Sequence, residues 1–179
     1  MDRLILVIGG SRSGKSCYAQ QKAELIPAPR FFIATCPVCD PEMAERVRKH
    51  REARDQAQWR TIEEPLDLAA ALRDAAQGNV LLVDCLTIWI NNLLYEAQRK
   101  NKVVTADEVA EACRGVLDAT RLVRGTVIIV TGEVGMGIVP EHPLARLYRD
   151  CVGTCNQMMA AAADNVTLIN CGIPLTLKG

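Results

Sequence analysis

Residues 9–16 combine glycines with a lysine and a serine in a spacing suited to holding phosphate. They read Gly-Gly-Ser-Arg-Ser-Gly-Lys-Ser after the apolar run at residues 4–8, which matches the phosphate-binding P-loop in spacing and context. Glycines let the backbone turn tightly, so that its N–H groups point at one centre, where the positive end of the following helix also favours anions. Lys15 is expected to neutralise the β- and γ-phosphates, and Ser16 to offer its hydroxyl to Mg²⁺. The sequence therefore predicts a nucleoside triphosphate site made by Gly9, Gly10, Ser11, Arg12, Ser13, Gly14, Lys15 and Ser16.

A second candidate is a carboxylate at the end of another apolar run. Residues 80–83 are followed by Asp84, the pattern that places an acid beside Mg²⁺ in P-loop enzymes. Many buried strands also end in an acid that caps a turn, so the pattern alone allows both roles. Because a P-loop precedes it, we favour Asp84 as a residue on the metal side of the nucleotide, together with Ser16.

A basic segment surrounds one of the two histidines. Five Lys or Arg residues lie at positions 46–54 around His50, and helical spacing puts His50 on one face with Val47 and Arg54. The neighbouring cations are expected to lower the pKa of His50 and to favour the neutral imidazole, which can attack phosphorus. A half-buried histidine that closes an edge of the core explains the pattern equally well.

Composition narrows the class of protein. The chain has 179 residues, 49% of them apolar, and its 21 basic and 21 acidic residues cancel, so no overall field attracts nucleic acid or an anionic membrane. This length suits one domain, residues 1–179. With no apolar run of membrane-spanning length, we expect a cytoplasmic protein with small-molecule partners. Of the eight cysteines only Cys36 and Cys39 have metal-ligand spacing, so reduced thiols are expected.

Apolar runs alternate with helical patterns along the chain. Besides the two runs above, strands are predicted at residues 31–34, 59–62, 126–130, 165–170 and 173–177. Helices are predicted at residues 16–26, 41–56, from Pro65, from the capping box Thr105–Glu108 to about Arg121, and from Pro143. The last of these helices is expected to bury an apolar stripe of Leu144, Leu147, Cys151, Cys155, Met158 and Ala162. Residues 98–104 are expected to form a flexible loop. The alternation predicts an α/β fold of the P-loop NTPase type, with a mostly parallel sheet, helices on both faces and ligands beyond the carboxyl ends of the strands.

These and further motifs resemble one family of enzymes. Besides the P-loop they are Ile33-Ala-Thr35, Glu42-Met43, Arg46-Val47, His50-Arg51, Trp59-Arg-Thr-Ile-Glu63 and Glu133-Val-Gly-Met-Gly-Ile-Val-Pro-Glu141. The similarity continues through residues 144–164 and covers nearly the whole chain. The family is the bifunctional adenosylcobinamide kinase and adenosylcobinamide-phosphate guanylyltransferase of cobalamin biosynthesis.

The resemblance implies two reactions. ATP or GTP phosphorylates adenosylcobinamide, and GMP is then transferred from GTP to adenosylcobinamide phosphate through a guanylyl-histidine intermediate on His50. It also implies Mg²⁺, a homotrimer, and nucleotide contacts at Ala34, Thr35, Cys36, Arg51, Glu52, Ala53, Arg54, Glu63 and Asp84. Two positions depart from the family's pattern, Asp55 where proline is frequent and Gly132 where asparagine is frequent, and they affect loop geometry and substrate contacts.

Two other functions stay open. A P-loop kinase for another small alcohol would carry out one reaction and use His50 only structurally. A nucleotide-switched protein whose basic helix binds RNA is disfavoured by the balanced charge and by an aromatic content of 4%, since single-stranded RNA is usually held by stacking on aromatic side chains.

Overall fold

A computed structural model describes residues 3–37 and 58–179. In these ranges seven strands form one sheet. The strands are β1 (Leu4–Gly9), β2 (Arg30–Ala34), β3 (Trp59–Glu63), β4 (Val80–Asp84), β5 (Thr126–Gly132), β6 (Asn165–Asn170) and β7 (Ile173–Lys178). The helices of the same ranges are α1 (Lys15–Glu24), α2 (Leu68–Asp74), α3 (Leu86–Arg99), α4 (Ala106–Leu122) and α5 (Pro143–Ala162).

The strand order is β3-β2-β4-β5-β1-β6-β7. The first six strands are parallel, and β7 runs antiparallel to β6. Only two residues join β6 to β7, which is enough for an antiparallel hairpin but far too short for a parallel crossover. The predicted, mostly parallel sheet is therefore confirmed, and residues 173–178 close one edge of it.

Helices cover both faces of the sheet, as predicted. Leu4 and Leu6 of β1 belong to a core cluster shared with α2, α3, α4 and α5. Ile5 and Val7 point the other way, into a cluster shared with α1. Because successive side chains of a strand alternate between faces, a sheet covered on both sides needs apolar residues at nearly every position. This requirement explains the continuous apolar runs of the sequence.

Several helix boundaries follow local capping. The Thr105 hydroxyl accepts from the Glu108 N–H and the Glu108 carboxylate accepts from the Thr105 N–H, so the predicted capping box is formed in full. The helix expected from Pro65 begins at Leu68 instead, because Asp67 caps it and accepts from the Ala70 N–H at 2.9 Å. The helix predicted for residues 41–56 lies outside the described residues.

The sequence did not predict α3. Cys85 precedes this helix and makes no side-chain capping bond, so the usual start signal is absent. The last turn of α3 includes Gln98 and Arg99, so the loop expected at residues 98–104 begins later than predicted.

The buried stripe of α5 also differs from the prediction. The expected stripe contained Leu144, Leu147, Cys151, Cys155, Met158 and Ala162, but Leu144 and Ala162 are exposed, and Met159 is buried in place of Met158. Cys151 and Cys155 are buried as expected. The buried residues Cys151, Cys155, Met159 and Ala163 follow one another every four residues. Because one turn of an α-helix takes 3.6 residues, this buried stripe winds slowly around the helix.

The described ranges contain neither a disulfide bond nor a helix that could span a membrane. The seven cysteines found there are all free thiols. Nor does any helix in that part of the chain have the length and hydropathy needed to cross a bilayer.

Candidate active site

The P-loop connects the end of β1 to the start of α1. Arg12 and Gly14 adopt left-handed backbone conformations, with φ of 55° and 94°, and Gly14 is the residue that precedes α1. The Ser13 N–H donates to the Gly10 carbonyl at 3.3 Å. Nζ of Lys15 donates to the same carbonyl at 3.1 Å. The lysine thus folds back over the loop, and its positive charge lies where the free N–H groups of the helix start also point.

Gly9 has a packing role. A Cβ at this position would lie 2.5 Å from the Ile169 carbonyl oxygen of β6 and 2.6 Å from Oγ of Ser13. Both distances are far below van der Waals contact, so a larger residue would push the loop away from β6. A Cβ on Gly10 would meet no atom within 4 Å, so the two neighbouring glycines serve different purposes.

Three candidate residues line up at the carboxyl edge of the sheet. Ala34 is in register with Glu63 on one side and with Asp84 on the other. Asp84 shares its face of the sheet with Leu82, which belongs to the core cluster under α1, because residues two apart on a strand point the same way. The carboxylate therefore lies on the face of the sheet that carries the P-loop helix.

Thr35 holds the chain where β4 ends. Its buried hydroxyl donates to the Cys85 carbonyl and accepts from the Cys85 N–H, both at 2.8 Å, and its own N–H donates to the Asp84 carbonyl at 3.3 Å. Nδ2 of Asn92 donates to the Thr35 carbonyl at 2.7 Å. The Asp84–Cys85 peptide bond is cis. The hydrogen bonds of Thr35 fix the backbone on both sides of the candidate metal ligand Asp84.

The Cys85 thiol is neutral in this environment. Burial raises its pKa, the negative charge of Asp84 raises it further, and the positive charge of Lys15 acts in the opposite direction. Its Sγ lies 2.9 Å from Oγ1 of Thr87. A protonated, buried thiol is a poor nucleophile, so we assign Cys85 a packing role.

The loop after β5 leaves the sheet beside the P-loop. The Glu133 N–H donates to the Gly9 carbonyl at 3.0 Å. Asn156 of α5 accepts from the Thr131 hydroxyl at 2.7 Å and donates to the Gly132 carbonyl at 3.0 Å, which fixes the end of β5. The loop itself carries three exposed apolar side chains, Met136, Ile138 and Val139. The glycine-containing loop that follows β5 thus lies at the carboxyl edge of the sheet.

The predicted site residues fall into two groups. The described ones lie in the P-loop or at the carboxyl ends of β2, β3 and β4, where Thr35 is buried, Asp84 and Cys36 are half-buried and Glu63 is exposed. His50 and the contacts predicted at Arg51, Glu52, Ala53 and Arg54 lie outside the described residues.

One contact of the P-loop was missed in the sequence. The N–H of Gly172, in the turn between β6 and β7, donates to the Ser13 carbonyl at 2.8 Å. The run Asn-Cys-Gly between two apolar segments does predict a hairpin turn. The sequence of this turn contains no information on which loop the turn contacts.

Oxygen donors suited to a metal ion are present at this edge. Ser16 offers a hydroxyl and Asp84 a carboxylate, the ligand types that Mg²⁺ prefers. Elsewhere in residues 3–37 and 58–179, no group of three or more His, Cys, Asp or Glu side chains is arranged to hold a metal. The donor set at the P-loop fits Mg²⁺ held partly by phosphate oxygens and waters.

Comparison with known proteins identifies the family. Residues 5–177 match the family model of cobinamide kinase / cobinamide phosphate guanyltransferase. The chain is 42% identical to the bifunctional adenosylcobalamin biosynthesis protein CobP of Pseudomonas aeruginosa, over 97% of this chain and 96% of that protein. It is 40% identical to the protein CobU of Salmonella typhimurium, over 98% and 99%.

A solved structure supports the fold alone. The flagellar accessory protein FlaH from Methanocaldococcus jannaschii superposes with a TM-score of 0.55 over 98% of this chain and 78% of that chain, at 12% identity. Together with the P-loop and the parallel sheet, the family model and the two relatives settle the classification: this chain belongs to the cobinamide kinase / cobinamide phosphate guanyltransferase family and is a bifunctional enzyme of cobalamin biosynthesis.

Proposed function

We propose that one phosphate cradle, residues 9–16, serves both reactions of this enzyme within one domain of residues 1–179. ATP or GTP phosphorylates the hydroxyl of adenosylcobinamide, and GTP then donates GMP to the new phosphate. The observation that supports this best is the position of Lys15, whose Nζ donates to the Gly10 carbonyl at 3.1 Å within the loop. One ammonium group can therefore serve any phosphate chain that enters the loop.

In the kinase reaction the chain's task is to position and to neutralise. Backbone N–H groups of the P-loop hold the β- and γ-phosphates, and Lys15 offsets the charge that spreads over the phosphoryl oxygens in the transition state. Ser16 and Asp84 are the residues that would hold Mg²⁺, which supplies further positive charge at the phosphate oxygens. The oxygen of the substrate hydroxyl bonds to the γ-phosphorus as the bond to the β-phosphate oxygen breaks, and the hydroxyl proton is released.

In the guanylyl transfer we assign the nucleophile to His50. Its neutral imidazole attacks the α-phosphorus of GTP and pyrophosphate leaves, which gives a guanylyl-histidine. An oxygen of adenosylcobinamide phosphate then attacks the same phosphorus, the P–N bond breaks, and adenosylcobinamide-GDP forms. The support for His50 is the basic segment around it and the membership of the family. Nucleotide contacts are proposed at Ala34, Thr35, Cys36, Arg51, Glu52, Ala53, Arg54, Glu63 and Asp84.

Two substitutions test this assignment. Lys15→Ala should abolish both reactions, because both need the same cradle. His50→Ala should lose GMP transfer and keep much of the kinase activity, because the first reaction needs no covalent intermediate. His142→Ala is the matched control, since His142 is exposed at the start of α5.

Labelled GTP gives the direct readout. With label at the α-phosphate, the wild type and His142→Ala should retain a label that is stable to alkali and lost in acid, as expected of a phosphoramidate, and His50→Ala should retain none. Persistent labelling of His50→Ala, or no labelling of a wild type that transfers GMP, would overturn the covalent route. Kinase activity on another small alcohol, with no GMP transfer by the wild type, would favour the single-reaction kinase.

The metal assignment has its own test. Asp84→Asn should lower the rate of phosphoryl transfer, and the loss should become smaller as the Mg²⁺ concentration rises, because a neutral amide is a weaker ligand than a carboxylate. A loss that does not respond to Mg²⁺ would make Asp84 a structural residue.

We further propose a homotrimer that acts in the cytoplasm, where ATP and GTP are supplied. Its mass in solution should be three times the 19.6 kDa of the chain. Light scattering that gives the mass of a monomer at working concentration would overturn this assembly.

A further inference from the structure

The P-loop has strands on both of its flanks. Toward one edge of the sheet β1 is followed by β5 and then β4, which ends in Asp84, and toward the other edge by β6 and β7. Neighbouring strands are about 4.8 Å apart, so β4 lies about 10 Å from β1. Under the proposed function, the transferred γ-phosphate lies on the β4 flank, near Asp84, which is proposed to hold Mg²⁺. A triphosphate that passes through the loop in this direction brings its nucleoside out on the flank of β6 and β7.

The turn between β6 and β7 stands on that second flank and is fixed to the loop. The Gly172 N–H donates to the Ser13 carbonyl at 2.8 Å. The Cα of Gly172 would lie 3.5 Å from a Cβ on Gly14. Cys171 and Gly172 both adopt left-handed conformations, with φ of 52° and 80°. The turn is therefore in direct contact with the phosphate cradle and is hydrogen-bonded to it.

The exposed groups of this turn could bind a flat aromatic ring that has hydrogen-bonding atoms at its edges. Asn170 is exposed, and its amide can both donate and accept hydrogen bonds. Space is open around Gly172, since a Cβ there would meet no atom within 4 Å. The next residue, Ile173, is 69% exposed. A purine nucleoside combines an apolar ring face with hydrogen-bonding edges and ribose hydroxyls, which matches these groups.

A buried hydroxyl gives independent evidence on the same flank. Ser13 is 9% exposed, and its Oγ meets no hydrogen-bond partner among the described residues. It lies toward β6, because a Cβ on Gly9 would touch both this oxygen and the Ile169 carbonyl. Buried polar atoms nearly always have a partner, so this oxygen indicates a ligand group on the β6 side of the loop.

We propose that the turn Asn170–Gly172 is the subsite for the purine nucleoside of the kinase donor. This inference rests on the proposed function, because the direction of the triphosphate is that of γ-phosphoryl transfer. In GMP transfer the reacting atom is the α-phosphorus, so the nucleoside lies at the reacting end, and the turn is not needed. The two reactions thus hold their triphosphates in opposite directions across one cradle.

A chemical footprint tests the position of the nucleoside. Cys171 is exposed, so its alkylation by iodoacetamide can be followed by peptide mass spectrometry. The full chain is compared alone, with saturating AMP-PNP and with saturating inorganic tripolyphosphate, after calorimetry has shown that each ligand binds. AMP-PNP should slow the alkylation of Cys171 severalfold, and tripolyphosphate, which lacks a nucleoside, should leave it unchanged.

The outcomes separate this inference from the proposed function. If neither ligand binds, the P-loop assignment fails and the subsite falls with it. If both ligands bind and Cys171 is unprotected, or is protected equally by both, the nucleoside lies elsewhere while the P-loop assignment stands.

A pair of asparagine substitutions tests the role of the side chain. Asn170→Ala should raise the KM for ATP in the kinase reaction about tenfold, as expected for the loss of one or two hydrogen bonds, with little change in kcat. The KM for GTP in GMP transfer should not change. Asn91→Ala alters an exposed asparagine of α3 and should leave both KM values unchanged. An unchanged KM for ATP in Asn170→Ala, or an equal rise in both reactions, would overturn the subsite.

Discussion

Replacing Thr35 by valine should destabilise the protein, because it removes two hydrogen bonds to the backbone of Cys85, the residue that follows β4. Valine has nearly the same shape but lacks the hydroxyl, which donates to the Cys85 carbonyl and accepts from the Cys85 N–H, both at 2.8 Å. The Cys85 carbonyl keeps a second partner, the Trp89 N–H at 3.1 Å. The Cys85 N–H would be left without its partner in a region where Thr35 is 0% and Cys85 7% exposed.

The expected cost follows from these contacts. A buried N–H without a partner costs about 1–3 kcal/mol, and the lost bond to the carbonyl about 1 kcal/mol more. Thr35→Val should therefore lower the free energy of unfolding by about 2–4 kcal/mol. The rate of phosphoryl transfer should fall as well, because the same bonds hold the backbone next to Asp84.

Urea unfolding followed by tryptophan fluorescence measures the change, since Trp89 is buried in α3 beside this region. Thr61→Val is the matched control, because Thr61 is an exposed residue of the adjacent strand β3 and such a change usually costs less than about 0.5 kcal/mol. If Thr35→Val unfolds at the same urea concentration as Thr61→Val, the two hydrogen bonds do not stabilise the end of β4 as argued.

Three further outcomes follow from the structure. Gly9→Ala should lower the free energy of unfolding by about 1–3 kcal/mol through overpacking against β6, while Gly10→Ala should change it little; equal effects in urea unfolding would refute the packing argument. Hydrogen bonds from the N–H groups of Leu4 and Arg3 lower the pKa of Asp164 below the ordinary value of an aspartate. The extra stability of the wild type over Asp164→Asn should therefore be complete at neutral pH and should shrink as the pH falls through that lowered pKa; a constant difference on acid titration would contradict this linkage. Because burial raises the pKa of Cys85, iodoacetamide should modify the exposed Cys17 and Cys171 well before Cys85 at neutral pH, and early modification of Cys85 would show that its thiol is accessible.

The strands were predictable because their signal is local. The strands β2, β4 and β5 are buried on both faces, and β3 ends at the polar residue Glu63. Their apolar runs therefore have clear limits in the sequence. The start of α3 lacks a capping side chain at Cys85, and this helix was missed for that reason. The order of the strands depends on which runs pair, and no run of residues contains that information.

The candidate site likewise has a part that is local in sequence and a part that depends on the fold. The P-loop is contiguous, so its glycines, Lys15 and Ser16 could be predicted as phosphate-binding residues from their spacing alone. The bonds of Thr35 to Cys85 and of Gly172 to Ser13 join residues that are distant in sequence. Neither pair has a local pattern, because each forms only when the parallel strands bring their carboxyl ends to one edge.

The position of β1 inside the sheet determines what its loop can do. An edge strand would offer its P-loop a single flank, whereas β1 has β5 on one side and β6 on the other. The register of Ala34 with Glu63 and Asp84 gives the β4 flank its polar groups, and the hairpin turn fixed to Ser13 gives the β6 flank its own. A phosphate chain held by the backbone N–H groups of one loop can then extend toward either flank. Under the proposed function, this arrangement would let transfer of a γ-phosphoryl group and transfer of a nucleotidyl group share Lys15 while each holds its nucleoside on a different flank.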